Sequence, residues 1–234
     1  MANRAVADWS SDSGGLEPIA RATLQEQVYQ QLRTRIMSGF FQPGQPLSTR
    51  SVAEAAGVSV MPVRDALRRL EVENALVVGN NRTLQVPILD VDTLQEISAM
   101  RIALEGLAVE RAMPSINTDD VAVLRHLCGV MNDSILSGDI DKYLEANWAF
   151  HNRIYARSSS EIMISVIESL WLRMGPYFRL TAQDKNHLDN AMKIHHDIVE
   201  AMRTGDCAAA RSAVVADIEA AAGDLSQWLA QQAG

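Results

Sequence analysis

Hydrophobic positions follow one periodicity from Thr23 to Ile36, change character twice before residue 90, and become helical for the rest of the chain. Val28, Leu32 and Ile36 recur at four-residue spacing, which predicts a helix with one apolar face. Thr23 is its expected N-cap, with Glu26 three residues later as a capping-box partner. Gly39 is expected to end it, and Phe41-Gln42-Pro43-Gly44 to turn the chain. A second helix is predicted from near Ser48 through Ser51-Val52-Ala53-Glu54-Ala55-Ala56, stopped by Gly57. A third is predicted from about Ser59 to Asn74. Two short β-prone runs, Leu76–Val78 and Leu84–Val86, flank Gly79-Asn80-Asn81-Arg82. Asn and Gly tolerate positive φ, so this segment reads as a hairpin.

From Asp90 onward the pattern predicts six amphipathic helices near 92–113, 118–137, 140–157, 160–180, 184–204 and 206–231. Met113-Pro114, Ser137-Gly138, Ser158-Ser159-Ser160 and Thr204-Gly205 punctuate them. The expected fold is mainly α. A winged helix-turn-helix with a small β-hairpin occupies 23–87, and an all-α helical bundle occupies 92–231. Residues 1–22, rich in Ser, Gly and Ala, read as a flexible N-terminal tail.

Composition narrows the class. A hydrophobic fraction of 47% supports buried cores, and no run approaches the ~18 apolar residues of a membrane span. The first residues carry no apolar core of the signal-peptide kind, and the two cysteines have no metal-type spacing. The expectation is a cytoplasmic protein without a membrane partner. The net charge of -8 is unevenly spread. Between Arg21 and Val86 eight arginines outnumber five acids, whereas the remainder is strongly acidic. The basic block can approach phosphate and the acidic block is repelled from it.

Residues 52–67 explain that block. Two helices crossing steeply need a small residue, supplied by Ala53, and a turn residue that accepts positive φ, supplied by Gly57. Val58, Val63 and Leu67 face inward, Ser59 is the expected N-cap, and Pro62 falls in the first turn. Ser59, Val60, Met61 and Arg64 then point outward at the end that enters a major groove. Arg50 and Arg82, at the preceding helix and the hairpin tip, are further contacts for phosphate or the minor groove. The implied partner is double-stranded DNA.

The bundle carries a scattered polar set. Asn147 and His151 share a helix face, His195 lies on a later helix beside the competing His196, and Asp217 lies on the last. Spacing alone leaves open whether these are metal ligands or ordinary hydrogen-bonded residues. Trp148, Phe150, Trp171 and Tyr177 fit core packing, and Arg173 fits the surface better than a pocket.

Gly39-Phe40-Phe41-Gln42-Pro43-Gly44, Gly57-Val58-Ser59 and Pro62-Val63-Arg64-Asp65-Ala66-Leu67 resemble the winged-helix domain of the GntR family. In that family an arginine that contacts DNA commonly stands where this chain has Val60, and the wing tip usually has a glycine where this chain has Asn80-Asn81. A valine can touch a thymine methyl, so the resemblance implies an altered operator. Asn147-Trp148-Ala149-Phe150-His151, His195-His196-Asp197-Ile198-Val199-Glu200-Ala201-Met202 and Gly205-Asp206 resemble the FCD effector domain of the FadR subfamily. Many such domains bind a divalent metal through an aspartate and three histidines. Carried over, the set is Asn147, His151, His195 and Asp217, with Asn147 replacing the aspartate and Asp217 the last histidine. Zinc, nickel or manganese suits these donors, at reduced affinity because an amide is a poor ligand. Ser98-Ala99-Met100-Arg101 resembles the opening helix of that domain, where the arginine faces the cavity. Arg101 is therefore expected to clamp a carboxylate effector, with Glu105 at helical spacing to orient it.

The resemblance implies a homodimeric regulator, more often a repressor, on an inverted repeat, with a small carboxylate as effector. The lever is expected across the Pro87–Asp92 link. Two alternatives are a regulator whose effector is the metal itself and a metal-dependent enzyme with an accessory helix-turn-helix. No His-Glu-x-x-His or Gly-x-Ser-x-Gly motif supports the latter.

Overall fold

The structure, a computed structural model, describes residues 23–79 and 82–232. The predicted tail and the Asn80-Asn81 wing tip lie outside the described residues. The N-terminal part comprises α1 (Leu24–Met37), β1 (Pro46–Leu47), α2 (Thr49–Ala56), α3 (Val60–Val72), β2 (Val77–Val78) and β3 (Leu84–Gln85). Thr23 caps α1 by accepting from the Glu26 amide at 3.2 Å. The reciprocal half of the predicted capping box does not form. The Glu26 carboxylate instead takes Gln30 at 2.7 Å and Arg69 at 2.9 Å, because α3 brings a guanidinium within reach.

The strands form one antiparallel sheet in the order β1-β3-β2, with Pro46 and Val77 both opposite Gln85. β1 is too short for an alternating pattern to reveal, and it contains a proline. It is held from β3's far side, where Val86 and Gln45 also bond at 3.0 Å. At the hairpin the positive φ of 56° falls on Arg82, which is exposed, and not on Gly79.

The C-terminal part is a bundle of α4 (Val91–Ala112), α5 (Thr118–Ser137), α6 (Ile140–Tyr155), α7 (Glu161–Thr181), α8 (Lys185–Thr204) and α9 (Cys207–Gln232). α4 and α8 pack along α9, and α5 along α6. Gly138 and Gly205 close α5 and α8 with φ of 74° and 75°, as the punctuation implied.

α7 joins the two parts by lying against α1. A Cβ on Gly175 would stand 2.4 Å from the Ile36 carbonyl oxygen and 2.5 Å from that of Met37. A Cβ on Gly39, whose φ is 65°, would stand 2.7 Å from the Gly175 carbonyl oxygen. Two backbones therefore touch where no side chain fits. Arg33 pairs with Glu168 at 2.9 Å, and Arg179 donates to the Gly39 carbonyl at 2.6 Å. The Tyr177 hydroxyl accepts from the Leu89 amide at 2.5 Å and donates to the Pro87 carbonyl at 3.2 Å, which fixes the connecting segment to α7. Gly175→Ala is expected to cost about 2 kcal/mol through overpacking, lowering the thermal midpoint by roughly 4–8 °C. Thermal unfolding by circular dichroism checks this; an unchanged midpoint would contradict the close approach.

Candidate functional site

The outward end of α3 is built as the spacing predicted. Ser48 caps α2 by accepting from the Ser51 amide at 3.0 Å, and Gly57 ends it at φ 65°. Val63 and Leu67 are buried beneath, which turns Ser59, Val60, Met61 and Arg64 to solvent. Ser59 occupies the N-cap position but makes no side-chain capping bond, so the amides of the first turn of α3 remain for another acceptor. Arg50 and Arg82 are exposed as well. Of the other basic side chains, Arg35 lies over the Phe40 ring, 4.6 Å from its centroid. Arg33 and Arg69 are tied to Glu73, and Arg69 stacks 3.6 Å over the Tyr29 ring. Arg68 is exposed one turn after Arg64 and makes no ion pair among the described residues. It completes a face with Arg64, and its spacing of four was the signal available in the sequence.

The second site lies inside the bundle. Arg101, Asn147, Trp171, His187, His195 and Asp217 are among the residues around one small cavity with about 30 Å³ of free space. Two of these, Arg101 and Trp171, are held from behind by Glu105, which is fully buried. Oε1 of Glu105 accepts from Arg101 Nε at 2.6 Å and Trp171 Nε1 at 3.1 Å. Oε2 accepts from Arg101 Nη2 at 3.3 Å and from the Tyr155 hydroxyl. The two readings of Arg101, a salt bridge and a cavity-facing guanidinium, therefore hold together. Trp171 and Phe178 lie within 4.7 and 5.3 Å of the guanidinium carbon and cover its faces.

Tyr155 also fixes a histidine. Burial, then the neighbouring Glu105 carboxylate, raise its pKa well above the usual phenol, so it keeps its proton. That proton goes to Glu105, so the 3.2 Å contact with His151 Nδ1 has the imidazole N–H as donor. Nε2 of His151 then points at Asp217 Oδ2, 3.3 Å away. His195 Nε2 lies 3.5 Å from Asp217 Oδ1, and neither ring nitrogen of His195 has a hydrogen-bond partner among the described residues, although the side chain is 1% exposed. Burial pushes the His195 pKa down to about 4, so the ring is neutral at neutral pH. Burial alone would raise Asp217, but His195, His151 and Arg101 outweigh it and bring its pKa to about 2. The donor atoms of His151, His195 and Asp217 lie within 4.8 Å of one another. Asn147 lines the same cavity.

His196 is exposed on the other side of α8, which settles the choice between the neighbouring histidines. Arg173 is not among the cavity-lining residues. Trp148, Phe150, Trp171 and Tyr177 are buried in the core, but Trp171 and Tyr177 do more than pack, through Glu105 and the connecting segment. Sequence reasoning missed His187 and Asn190, which line the cavity on α8 ahead of His195.

A winged helix-turn-helix followed by a helical bundle with a buried histidine–carboxylate pocket defines the class of two-part bacterial regulators. Residues 24–86 match the bacterial regulatory proteins of the gntR family, and residues 96–220 match the FCD domain. The HTH-type transcriptional regulator McbR of Escherichia coli K12 is 32% identical over 82% of this chain and 88% of its own. The solved structure of E. coli McbR/YncC superposes with a TM-score of 0.81 at 30% identity, covering 92% of this chain and all of that one. The gluconate operon transcriptional repressor of Bacillus subtilis is 26% identical over 92% of this chain and 90% of its own. A putative GntR regulator from Rhodococcus sp. RHA1 shares the fold, with a TM-score of 0.71 at 20% identity. The chain belongs to the GntR family of transcription regulators, in the group that carries an FCD domain. Among the described residues no helix is long and apolar enough to cross a membrane.

Removing the Glu105 carboxylate would strand the Arg101 charge. Glu105→Ala is expected to cost about 3–5 kcal/mol, as the loss of one partner from a buried pair does. Urea unfolding measures it, and a loss near zero would contradict the network described.

Proposed function

We propose that this regulator is a cytoplasmic homodimeric repressor. In this reading it holds an inverted-repeat operator through Arg50, Ser59, Val60, Met61, Arg64, Arg68 and Arg82, and it responds to a small carboxylate that binds beside a divalent metal. The convergence of two imidazole nitrogens and an ionised carboxylate on one buried point, next to Arg101, carries this reading. With His195 neutral and Arg101 paired with Glu105, the cavity presents the ionised carboxylate of Asp217. That is a poor home for an acid and a good one for zinc, nickel or manganese. His151, His195 and Asp217 would be the ligands and Asn147 a weaker fourth. Tyr155 and Glu105 behind His151 form the outer hydrogen-bonded support that orients such a ligand. With the ion in place the cavity becomes positive. Because Arg101 spends Nε and Nη2 on Glu105, Nη1 remains for a ligand carboxylate.

The pocket is suited to recognition more than to catalysis, since Glu105 accepts four hydrogen bonds and Asp217 faces two imidazoles, leaving neither as a general base. Met100 and Leu107 on α4 and Ile162 and Val166 on α7 are exposed large apolar residues that a second copy would cover. The lever is α7, which touches Glu105 through Trp171 and the DNA-binding part through Gly175, Tyr177 and Arg179. The small free space of the cavity favours a second reading, in which the ion alone is the effector.

Arg64→Ala is expected to abolish specific operator binding while leaving the thermal midpoint unchanged; gel-shift titration on the native operator decides, and retained affinity would refute the role. Zinc titrated into the full-length protein is expected to bind with proton-independent stoichiometry near one per chain at pH 7, and His195→Ala to remove that binding. Equal zinc affinity in wild type and variant would contradict the ligand set. Operator affinity measured with zinc alone, and with zinc plus a panel of carboxylic acids, separates the two effector readings.

A further inference from the structure

The carboxylate pocket has a second polar end that the metal and Arg101 do not account for. α8 presents His187, Asn190, Ala191 and His195 to the cavity. His187 and His195 are two helical turns apart, about 12 Å along the axis. The lining also includes Ala191 on α8 and Ala220 and Ala221 on α9, small and apolar, beside the polar Asn190. His187 Nδ1 lies 2.5 Å from Asp224 Oδ2. A carboxylate only accepts, so Nδ1 carries a proton and Nε2 is left as the ring's free polar atom. Asp224 thus fixes the orientation of the His187 ring.

His187 also borders an outer cleft of about 130 Å³ formed with Thr181, Asp184, Asp224 and Trp228. The ring is the common wall of the inner and outer spaces. The inner cavity, with about 30 Å³ free, is too small for an organic acid by itself. An acid seated at the inner end must extend past His187, where its far end meets Nε2.

Resting on the carboxylate reading, we propose that His187 is a specificity-determining residue: held by Asp224, it shares a hydrogen bond through Nε2 with a hydroxyl at the far end of the effector, which is a hydroxy acid of roughly four to six carbons spanning the alanine wall. Asp224 is a positioning residue that acts through His187.

The test is calorimetry on full-length protein in the presence of zinc, with two pairs of acids: butyrate against 4-hydroxybutyrate, and hexanoate against 6-hydroxyhexanoate. In at least one pair the wild type is expected to favour the hydroxylated acid by about tenfold, the order of one hydrogen bond. His187→Phe is expected to bind both members of that pair equally. Asp224→Asn keeps the ring but not the carboxylate that orients it, and is expected to reduce the preference without abolishing it. If the acids bind with no hydroxyl preference, or His187→Phe keeps the preference, the role of His187 is overturned and the carboxylate reading stands. If none of the acids binds, the carboxylate reading itself falls, and this one with it.

Discussion

The contact between the backbones of α1 and α7 sets the rest of the molecule. At Gly39 and Gly175 a single added carbon would collide with a carbonyl oxygen, so the two helices meet at van der Waals distance with nothing between them. Such a contact transmits displacement, because there is no side chain to rearrange and absorb it. On one side α1 packs on α3, which carries the exposed Val60, Met61 and Arg64. On the other, α7 carries Trp171 and Phe178 against the Arg101 guanidinium. The ion pair of Arg33 with Glu168 and the bond from Arg179 to Gly39 flank the contact and resist rotation about it.

The pocket end of this path is organised by one buried carboxylate. Burying Glu105 and Arg101 together is costly, and hydrophobic residues of similar volume would stabilise the bundle at least as well. What the charges contribute is placement. Glu105 positions Arg101 on α4, the Trp171 indole on α7 and, through Tyr155, the tautomer of His151 on α6. Any ligand that alters the charge beside Arg101 therefore acts on three helices through one group. The effect on operator affinity depends on unequal binding to two arrangements of α7, since a ligand with equal affinity for both shifts nothing.

Much of this was legible in the sequence because it rests on local chemistry. Helical periodicity located all six bundle helices, and the Ala53–Gly57–Leu67 pattern located the helix-turn-helix. Arg101 with Glu105 was readable from its spacing of four, and the convergence of His151, His195 and Asp217 from family likeness. What escaped depends on distant neighbours. Glu26 left its capping box for Arg69, which lies on α3. β1 is two residues long and is specified by β3, through the pairing of Pro46 with the distant Gln85, rather than by its own pattern. Gly175 is an ordinary helical glycine until α1 is placed on it, and His187 gains meaning only when Asp224 on α9 is seen to accept its Nδ1–H.

Linkage makes the central claim testable without knowing the effector, because coupling between two sites is reciprocal. If the pocket acts on DNA binding through α7, then DNA must act on α7. The decisive measurement is amide hydrogen exchange on the full-length protein with and without its operator. The account predicts altered protection in α2 and α3 together with altered protection in α7 around Gly175. Changes confined to α2 and α3, with α7 exchanging as it does in the free protein, would contradict it.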